Sequence, residues 1–491
     1  MIVNRIYEWA RSQPTKAALI HNDASVSYAE FARAIEASRS FFKNQNLPAG
    51  STALVLVHSL DDAWVFTLAL RALGLNTSCV RSIAEAEAIK FKDVACVVVK
   101  EGKRESQQLH GNPFAGAKVI AVPAEIFSNI HTGDLPSAQS DGNLFGGHIL
   151  FTSGTTGSYK KVLQDGAVEE KRNIVRASQS FFSNNTVAHF GNFMLSTGGG
   201  FKNPSAVWQV GGCVVIDQRP NLFAHYFNHD ITNAFVVPPM LDALLQKYDR
   251  ALRFQTDQIE FDVIGGFTPL KLAERVVCDL NARLSLRYSA TETGGLMMCT
   301  QFKTKDDLYW YVPVNDRTIQ VVDELGNECP TGQMGHLRLL TTEIDCSSYL
   351  DDEDASAKVF RDGFFYPGDM AVRRADGRIR VLGRTDDVVN FQGQKLAVAP
   401  IEQEIQDALR VDEVCVFSGL DDRGNEELVI AIQSKREFQQ SELEAVAGRF
   451  ASFERVRFAV LPDFPRAESA MNKVQRSLLR KLVSTGTGRH S

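Results

Sequence analysis

Residues 151–162 read FTSGTTGSYKKV, and no other stretch restricts the fold as strongly. The apolar run His148, Ile149, Leu150, Phe151 feeds the small and hydroxylated residues 152–157. A strand opening into such a loop can wrap a polyanion. Glycines let backbone N–H groups come close, hydroxyls donate, and Lys160 and Lys161 bring positive charge. The Walker spacing fails, because Tyr159 stands five residues after Gly154, where a second glycine belongs. The loop is therefore a phosphate loop of another design. A flexible Ser/Thr/Gly linker is the competing reading.

The flanking sequence alternates between strand and helix patterns. Residues 27–42 predict a helix, with Ser27 and Glu30 as a capping box and Phe31, Ile35 and Phe42 along one face. Residues 52–57 (TALVLV) predict a buried strand. Asp61 and Asp62 open an apolar helix that stops near Gly74, and residues 94–99 predict another strand. After the loop, residues 167–182 look helical and residues 189–201 (HFGNFMLSTGGGF) irregular. Strands follow at 213–216, 234–237, 261–264 and 284–287, with helices from Asn221, Pro239 and Leu270 between them. This alternation predicts an α/β lobe of mostly parallel sheets covered by helices. In such sheets ligands bind beyond the carboxyl ends of the strands. Three ends carry glycine, hydroxyl or carboxylate clusters: the phosphate loop, the pair Gly265 and Gly266, and Tyr288–Glu292 (YSATE). Their convergence predicts one shared nucleotide site.

From about residue 306 the pattern shortens to turn-rich strands, which predicts a small antiparallel barrel over 306–382. A fresh mixed α+β segment begins at Asp386, and the tail after Lys481 reads as frayed. At 491 residues a single core is unexpected. The division expected is a large lobe, 1–385, and a small C-terminal domain, 386–491. A net charge of −6 gives no reason to expect nucleic acid as a partner. No apolar run is long enough for a membrane span. The eight cysteines form no CxxC pair and mostly lie in apolar runs, the start lacks the apolar segment of a signal peptide, and the histidines show no metal-binding spacing. A cytoplasmic location is expected.

Five motifs in order, TSGTTGSYKKV (152–162), YSATE (288–292), YPGD (366–369), GRTDDVVNFQGQKL (383–396) and NKVQR (472–476), resemble the adenylate-forming superfamily. That superfamily holds acyl- and aryl-CoA synthetases, peptide-synthetase adenylation domains and firefly luciferase. The resemblance runs from Phe151 to Lys473 and implies a large lobe with a mobile C-terminal lid. It also implies a reaction: ATP and a carboxylic acid give an acyl-adenylate and pyrophosphate, and a thiol then takes the acyl group. Coenzyme A is the thiol first expected, with the phosphopantetheine of an acyl carrier protein as the alternative. A non-catalytic nucleotide-binding relative is a third possibility, opposed by the retained Lys160, Glu292, Asp369, Arg384 and Lys473.

The resemblance also implies roles. Thr152, Ser153, Gly154, Thr155, Thr156, Gly157 and Lys160 would hold the β- and γ-phosphates of ATP. Thr291 would contact the α-phosphate and Glu292 would hold Mg²⁺. Gly265, Gly266 and Phe267 would border the adenine, Tyr288 would stack on it, and Asp369 and Arg384 would bind the ribose. Lys473 would bind the acid's carboxylate and the α-phosphate during adenylation. Asp386 would be the hinge, and Gly393 would leave room for the pantetheine arm of the thiol. Apart from the family, Glu292 reads as a helix N-terminal acid, Tyr288 as a core tyrosine, Asp369 and Gly393 as turn residues, and Arg384 and Lys473 as surface charges.

The chain departs from the family pattern at Tyr159, Lys161, Ser289, Pro367 and Asn472, none of which removes an essential charge. Amino-acid-activating members carry an aspartate that pairs with the substrate's ammonium; residues 190–193 (FGNF) offer no acid there. An unpaired buried ammonium is costly, so an acid without an α-amino group is expected. Phe190, Asn192, Phe193, Met194, Gly198, Gly199 and Gly200 are the candidate acid-pocket residues, with core packing the equal alternative for the phenylalanines.

Overall fold

The computed structural model describes residues 1–103, 114, 116–128, 130–137, 145–153, 159–219, 229–246, 259–314, 317–385, 388–391, 394–411, 413–420, 426–448, 455–466, 474–484 and 489–490. The helix expected near Asn221 lies outside them. Helix Tyr28–Lys43 starts where its capping box requires: the Glu30 amide donates to Ser27 Oγ (3.3 Å) and the Ser27 amide to the Glu30 carboxylate (2.8 Å). Phe31, Ile35 and Phe42 on its inner face are fully buried.

One sheet has strands in the order Lys118–Val122, Val94–Lys100, Thr52–Val55, Asn76–Cys79, His148–Ser153, Tyr159–Gln164. All neighbours are parallel except the last pair, so the phosphate-loop stretch joins the two arms of an antiparallel hairpin. The second sheet has nine strands. Its parallel centre runs Arg283–Tyr288, Glu260–Val263, Asn233–Val236, Val187–His189, Cys213–Ile216, Ala17–His21, with short antiparallel strands at both edges. Apolar helices fill the space between the sheets. Leu60–Arg71 is buried almost all round, which explains its lack of a polar face. There Trp64 stacks on Phe201 (5.4 Å) and meets Trp208 edge-on (4.8 Å).

The segment expected to be irregular instead begins a helix, Gly198–Gln209. Three glycines and the internal Pro204 argue against a helix by propensity. The Thr197 side chain caps it by accepting from the Gly200 amide (3.1 Å), and tertiary packing overrides the propensity. A Cβ on Gly200 would lie 2.1 Å from the Met194 carbonyl oxygen, so this glycine permits a close backbone approach.

The antiparallel region forms a six-stranded sheet in which Met334–Leu340 and Asp369–Arg373 pair at the centre. The C-terminal segment adds a four-stranded sheet and the helices Val398–Leu409, Gln440–Ala447 and Arg476–Ser484. It has its own core around Ile405, Val414, Ile430 and Phe458. Within the tail expected to fray, Arg489–His490 pairs with Val456–Leu461. Tyr309 and Lys305 of the large lobe both meet Asp407 of the helix Val398–Leu409, at 3.3 and 3.7 Å.

Candidate active site

The carboxyl ends of two adjacent parallel strands bring two of the three expected clusters side by side, while the third, the phosphate loop, leaves a strand of the other sheet. Strand Glu260–Val263 leads into Gly265, whose positive φ of 75° suits glycine, and then into Gly266. A Cβ on Gly266 would touch the Pro238 ring at 3.4 Å, just past the end of the neighbouring strand Asn233–Val236. Phe267 remains 43% exposed and stacks on Tyr309 (6.0 Å). The next strand, Arg283–Tyr288, ends in the turn that carries Thr291 and Glu292.

Tyr288 donates its hydroxyl to Asp369, and Arg384 Nε lies 3.4 Å from the other oxygen of that carboxylate. Arg384 also donates to the Pro367 carbonyl (2.5 Å). Three residues separated widely in sequence thus make one cluster on two sheets. Burial, followed by the Asp369 carboxylate, pushes the Tyr288 hydroxyl far above the ordinary phenol range, so it remains a donor.

Glu292 is buried, and its carboxylate accepts a hydrogen bond from the Tyr349 hydroxyl (2.7 Å). Burial and then Glu292 raise the Tyr349 pKa strongly. The Thr291 carbonyl accepts from Lys202 Nζ (2.8 Å) and from Gln164 Nε2 (3.4 Å). Gln164 ends the return arm of the phosphate-loop hairpin, so the hairpin and the Thr291–Glu292 turn are directly tied. The other arm is tied to the candidate acid segment, with the Phe151 amide donating to the Ser196 carbonyl (3.2 Å).

Thr152 and Ser153 close the strand that enters the phosphate loop, while Gly154, Thr155, Thr156 and Gly157 lie outside the described residues. Lys160 pairs with Asp352 at 2.6 Å, and Lys161 with Asp351 at 2.6 Å. Asp352 also caps the helix Glu353–Val359 through the Ala355 amide (3.0 Å). Lys473, Asp386 and Gly393 lie outside the described residues as well.

The acid-pocket candidates divide. Phe190 is fully buried and stacks on Phe235 (4.8 Å), so its place is the core. Asn192 is exposed, while Phe193 and Met194 are half-buried. Gly199 packs tightly, since a Cβ would come within 2.9 Å of Ile264, and Gly200 serves the close approach described above. Gly198 is the least crowded of the three, with Lys202 Cε at 3.4 Å, Lys202 Nζ at 3.7 Å and the Thr291 Cα at 3.9 Å from where a Cβ would stand. Sequence reasoning missed Lys202, Gln164, Tyr349, Asp351 and Asp352. Asp351 and Asp352 read only as a helix-start acid run, and no local signal marks the others.

Residues 6–341 match the AMP-binding enzyme family. That is more than half of the chain, and the protein belongs to this family. A medium/long-chain-fatty-acid–[acyl-carrier-protein] ligase of Mycobacterium tuberculosis is 21% identical, over 99% of this chain and 96% of its own. A 2-succinylbenzoate–CoA ligase of Bacillus licheniformis is 25% identical, over 86% and 87%. Among solved structures, o-succinylbenzoate CoA synthetase of Bacillus subtilis bound to its acyl-adenylate superposes with a TM-score of 0.81, at 20% identity over 97% and 98% of the two chains. The anthranilate CoA ligase in complex with anthranoyl-AMP gives 0.83, at 15% identity over 99% and 98%. The fold is that of the adenylate-forming enzymes.

Proposed function

We propose that this protein is an AMP-forming acid–thiol ligase that activates a carboxylic acid with ATP and passes the acyl group to coenzyme A. One observation carries the reading: Tyr288, Asp369 and Arg384 meet in one cluster beside the Gly265–Gly266 turn and the Thr291–Glu292 turn, at the carboxyl ends of adjacent parallel strands. In the first half-reaction a carboxylate oxygen attacks the α-phosphorus, the bond to the bridging oxygen breaks, and pyrophosphate leaves. In the second, a thiol sulfur attacks the acyl carbonyl, its proton passes to solvent, and AMP leaves.

Both steps move anions towards anions, so charge and hydrogen-bond donors must be in place beforehand. Asp369 would accept from the ribose hydroxyls, Tyr288 would stack on the base, and Gly265, Gly266 and Phe267 would border it. Thr291 would donate to the α-phosphate, and Lys160, released from Asp352, would reach the outer phosphates with residues 152–157. The buried Glu292 carboxylate suits Mg²⁺, which takes one or two protein oxygens and fills its shell from phosphate and water. Bound there, the ion would neutralise charge on the phosphate oxygens. Lys473 would bind both the acid's carboxylate and the α-phosphate, carried in by a C-terminal domain that turns about Asp386 and later brings Gly393 to the thiol channel.

An acid without an α-ammonium fits the site. Phe193, Met194 and Gly198 offer no carboxylate to pair with one. Among the described residues no helix is long and apolar enough to cross a membrane. All eight cysteines are free, in keeping with a cytoplasmic location.

The test is acid-dependent ATP–pyrophosphate exchange over short, medium, long and aromatic acids. CoA or a phosphopantetheinylated carrier protein is then added with the best acid. Exchange that is lost in Lys473→Ala, with acyl-CoA as product, is expected. Transfer to the carrier alone assigns the carrier as acceptor, as for the mycobacterial relative. Absence of exchange across the panel refutes the reading.

A further inference from the structure

Lys202 is a basic side chain placed where both burial and the local helix oppose its charge, and burial, its largest influence, lowers its pKa well below the ordinary lysine value. Its side chain is almost fully buried, and it lies near the start of the helix Gly198–Gln209, where the helix dipole disfavours positive charge. Its ammonium donates to three neutral oxygens, the carbonyls of Ala290 (3.4 Å), Thr291 (2.8 Å) and Thr293 (2.7 Å). Two more buried cations, Arg172 and Arg176, stand on the helix Glu169–Gln179. Arg176 donates to the Gly294 carbonyl (3.0 Å) and Arg172 to the Ile344 carbonyl (3.4 Å). The Glu292 carbonyl accepts from the Cys346 amide (2.9 Å). Every carbonyl from Ala290 to Gly294 is thus held by a donor, three of them by the single ammonium.

Such a pattern fixes the turn that carries Thr291 and Glu292. Three carbonyl oxygens converging on one point repel each other unless a cation sits between them. Remove it and the turn relaxes, taking both side chains out of register; errors of about an ångström in such groups cost orders of magnitude in rate.

We propose that Lys202 is a positioning residue for adenylation: its ammonium gathers the carbonyls of the 290–293 turn and so sets the orientation of Thr291 and Glu292 toward the α-phosphate and its metal. The proposal rests on the ligase reading above. It predicts a loss in the rate of acyl-adenylate formation rather than in affinity for the acid, although Lys202 lies beside the acid-pocket residue Gly198.

The experiment compares wild type, Lys202→Met and Lys202→Arg in acid-dependent ATP–pyrophosphate exchange. Thermal unfolding and calorimetric binding of Mg²⁺–ATP are measured in parallel. Lys202→Met keeps most of the volume but removes the charge; it should lower kcat for exchange about 10²- to 10³-fold, while KM for the acid changes by less than about threefold. Mg²⁺–ATP binding should weaken by about tenfold. Lys202→Arg, which keeps the charge, should restore at least about a tenth of the wild-type rate. A raised KM for the acid with unchanged kcat would overturn the proposal and make Lys202 a pocket-lining specificity residue. Equal loss in both variants together with equal loss of thermal stability would also overturn it, as a purely structural role. Failure of wild type itself to exchange refutes the ligase reading instead, so the two failures are distinct.

Discussion

Replacing Tyr349 with Phe removes one oxygen and tests the metal assignment of Glu292. The Tyr349 hydroxyl donates to Glu292 Oε1 at 2.7 Å. Its ring packs edge-on against Phe360 (5.5 Å), and its amide donates to Ser356 Oγ (2.8 Å), so Phe retains the ring's place. Burial and the Glu292 charge push the phenol pKa up, and the hydroxyl stays a donor throughout any assay range. A hydrogen bond to a charged group contributes about 1.5–3 kcal/mol. An outer hydrogen bond that aims a metal-ligating carboxylate typically changes metal affinity about 10- to 100-fold. The expected result for Tyr349→Phe is a rise of about that size in the Mg²⁺ concentration giving half-maximal pyrophosphate exchange, at saturating ATP and acid. Tm should fall by a few degrees with the loss of that bond, so the Mg²⁺ requirement is compared at a temperature where both proteins are folded. Two results would refute the reasoning. An unchanged Mg²⁺ requirement would mean that Glu292 does not hold the ion. A lowered requirement would mean that Tyr349 competes with the metal for Oε1 rather than aiming the carboxylate at it.

Adjacent glycines should respond differently. Gly200→Ala would place a Cβ 2.1 Å from a backbone oxygen and should destabilise the lobe by about 1–3 kcal/mol or more, read as a fall in Tm. Gly198→Ala would place a Cβ in ordinary contact, 3.4 Å from Lys202 Cε and 3.9 Å from the Thr291 Cα, so Tm should hold while KM for the acid changes. A pH effect is expected at His21, whose Nδ1 lies 3.1 Å from Asp61. Burial lowers the His21 pKa, but hydrogen bonds and charge from Asp61 outweigh it and leave the pKa raised. A raised histidine pKa contributes stability that is complete below the unfolded value and fades as pH climbs through the folded one. Wild-type Tm should therefore fall between about pH 6 and pH 8 through this pair, and His21→Gln should flatten that part of the slope. Parallel slopes in the two proteins would exclude the pair as its source. Substituting Asp369 with Asn should weaken ATP binding in calorimetry, because the amide loses the charge that Arg384 faces at 3.4 Å; unchanged affinity would remove Asp369 from the ribose site.

What the sequence disclosed follows from the range of each signal. The capping box of Ser27 and Glu30 and the strand Cys213–Ile216 are local, and each stands where its residues require. The helix Gly198–Gln209 was illegible because its glycines answer to tertiary neighbours: Gly200 to the Met194 carbonyl and Gly199 to Ile264. The tail strand Arg489–His490 was hidden for the same reason, since its partner is Val460, far upstream. In the site, motifs pointed to the residues whose side chains the proposed reaction would use, such as Glu292 and Asp369. They were silent about the residues that hold backbone. Lys202 contacts three carbonyls, and carbonyls are the same for every amino acid, so no residue type at 290–293 advertises the partner that grips them. The same holds for Gln164 on the Thr291 carbonyl. A turn whose side chains must stay free for a ligand has only its backbone left by which it can be held, and the holders then come from elsewhere in the chain. Cationic or amide side chains aimed at the carbonyls beneath a motif are therefore what holds it in place. Beneath Thr291 and Glu292 that holder is a lysine on a helix that sequence patterns did not reveal.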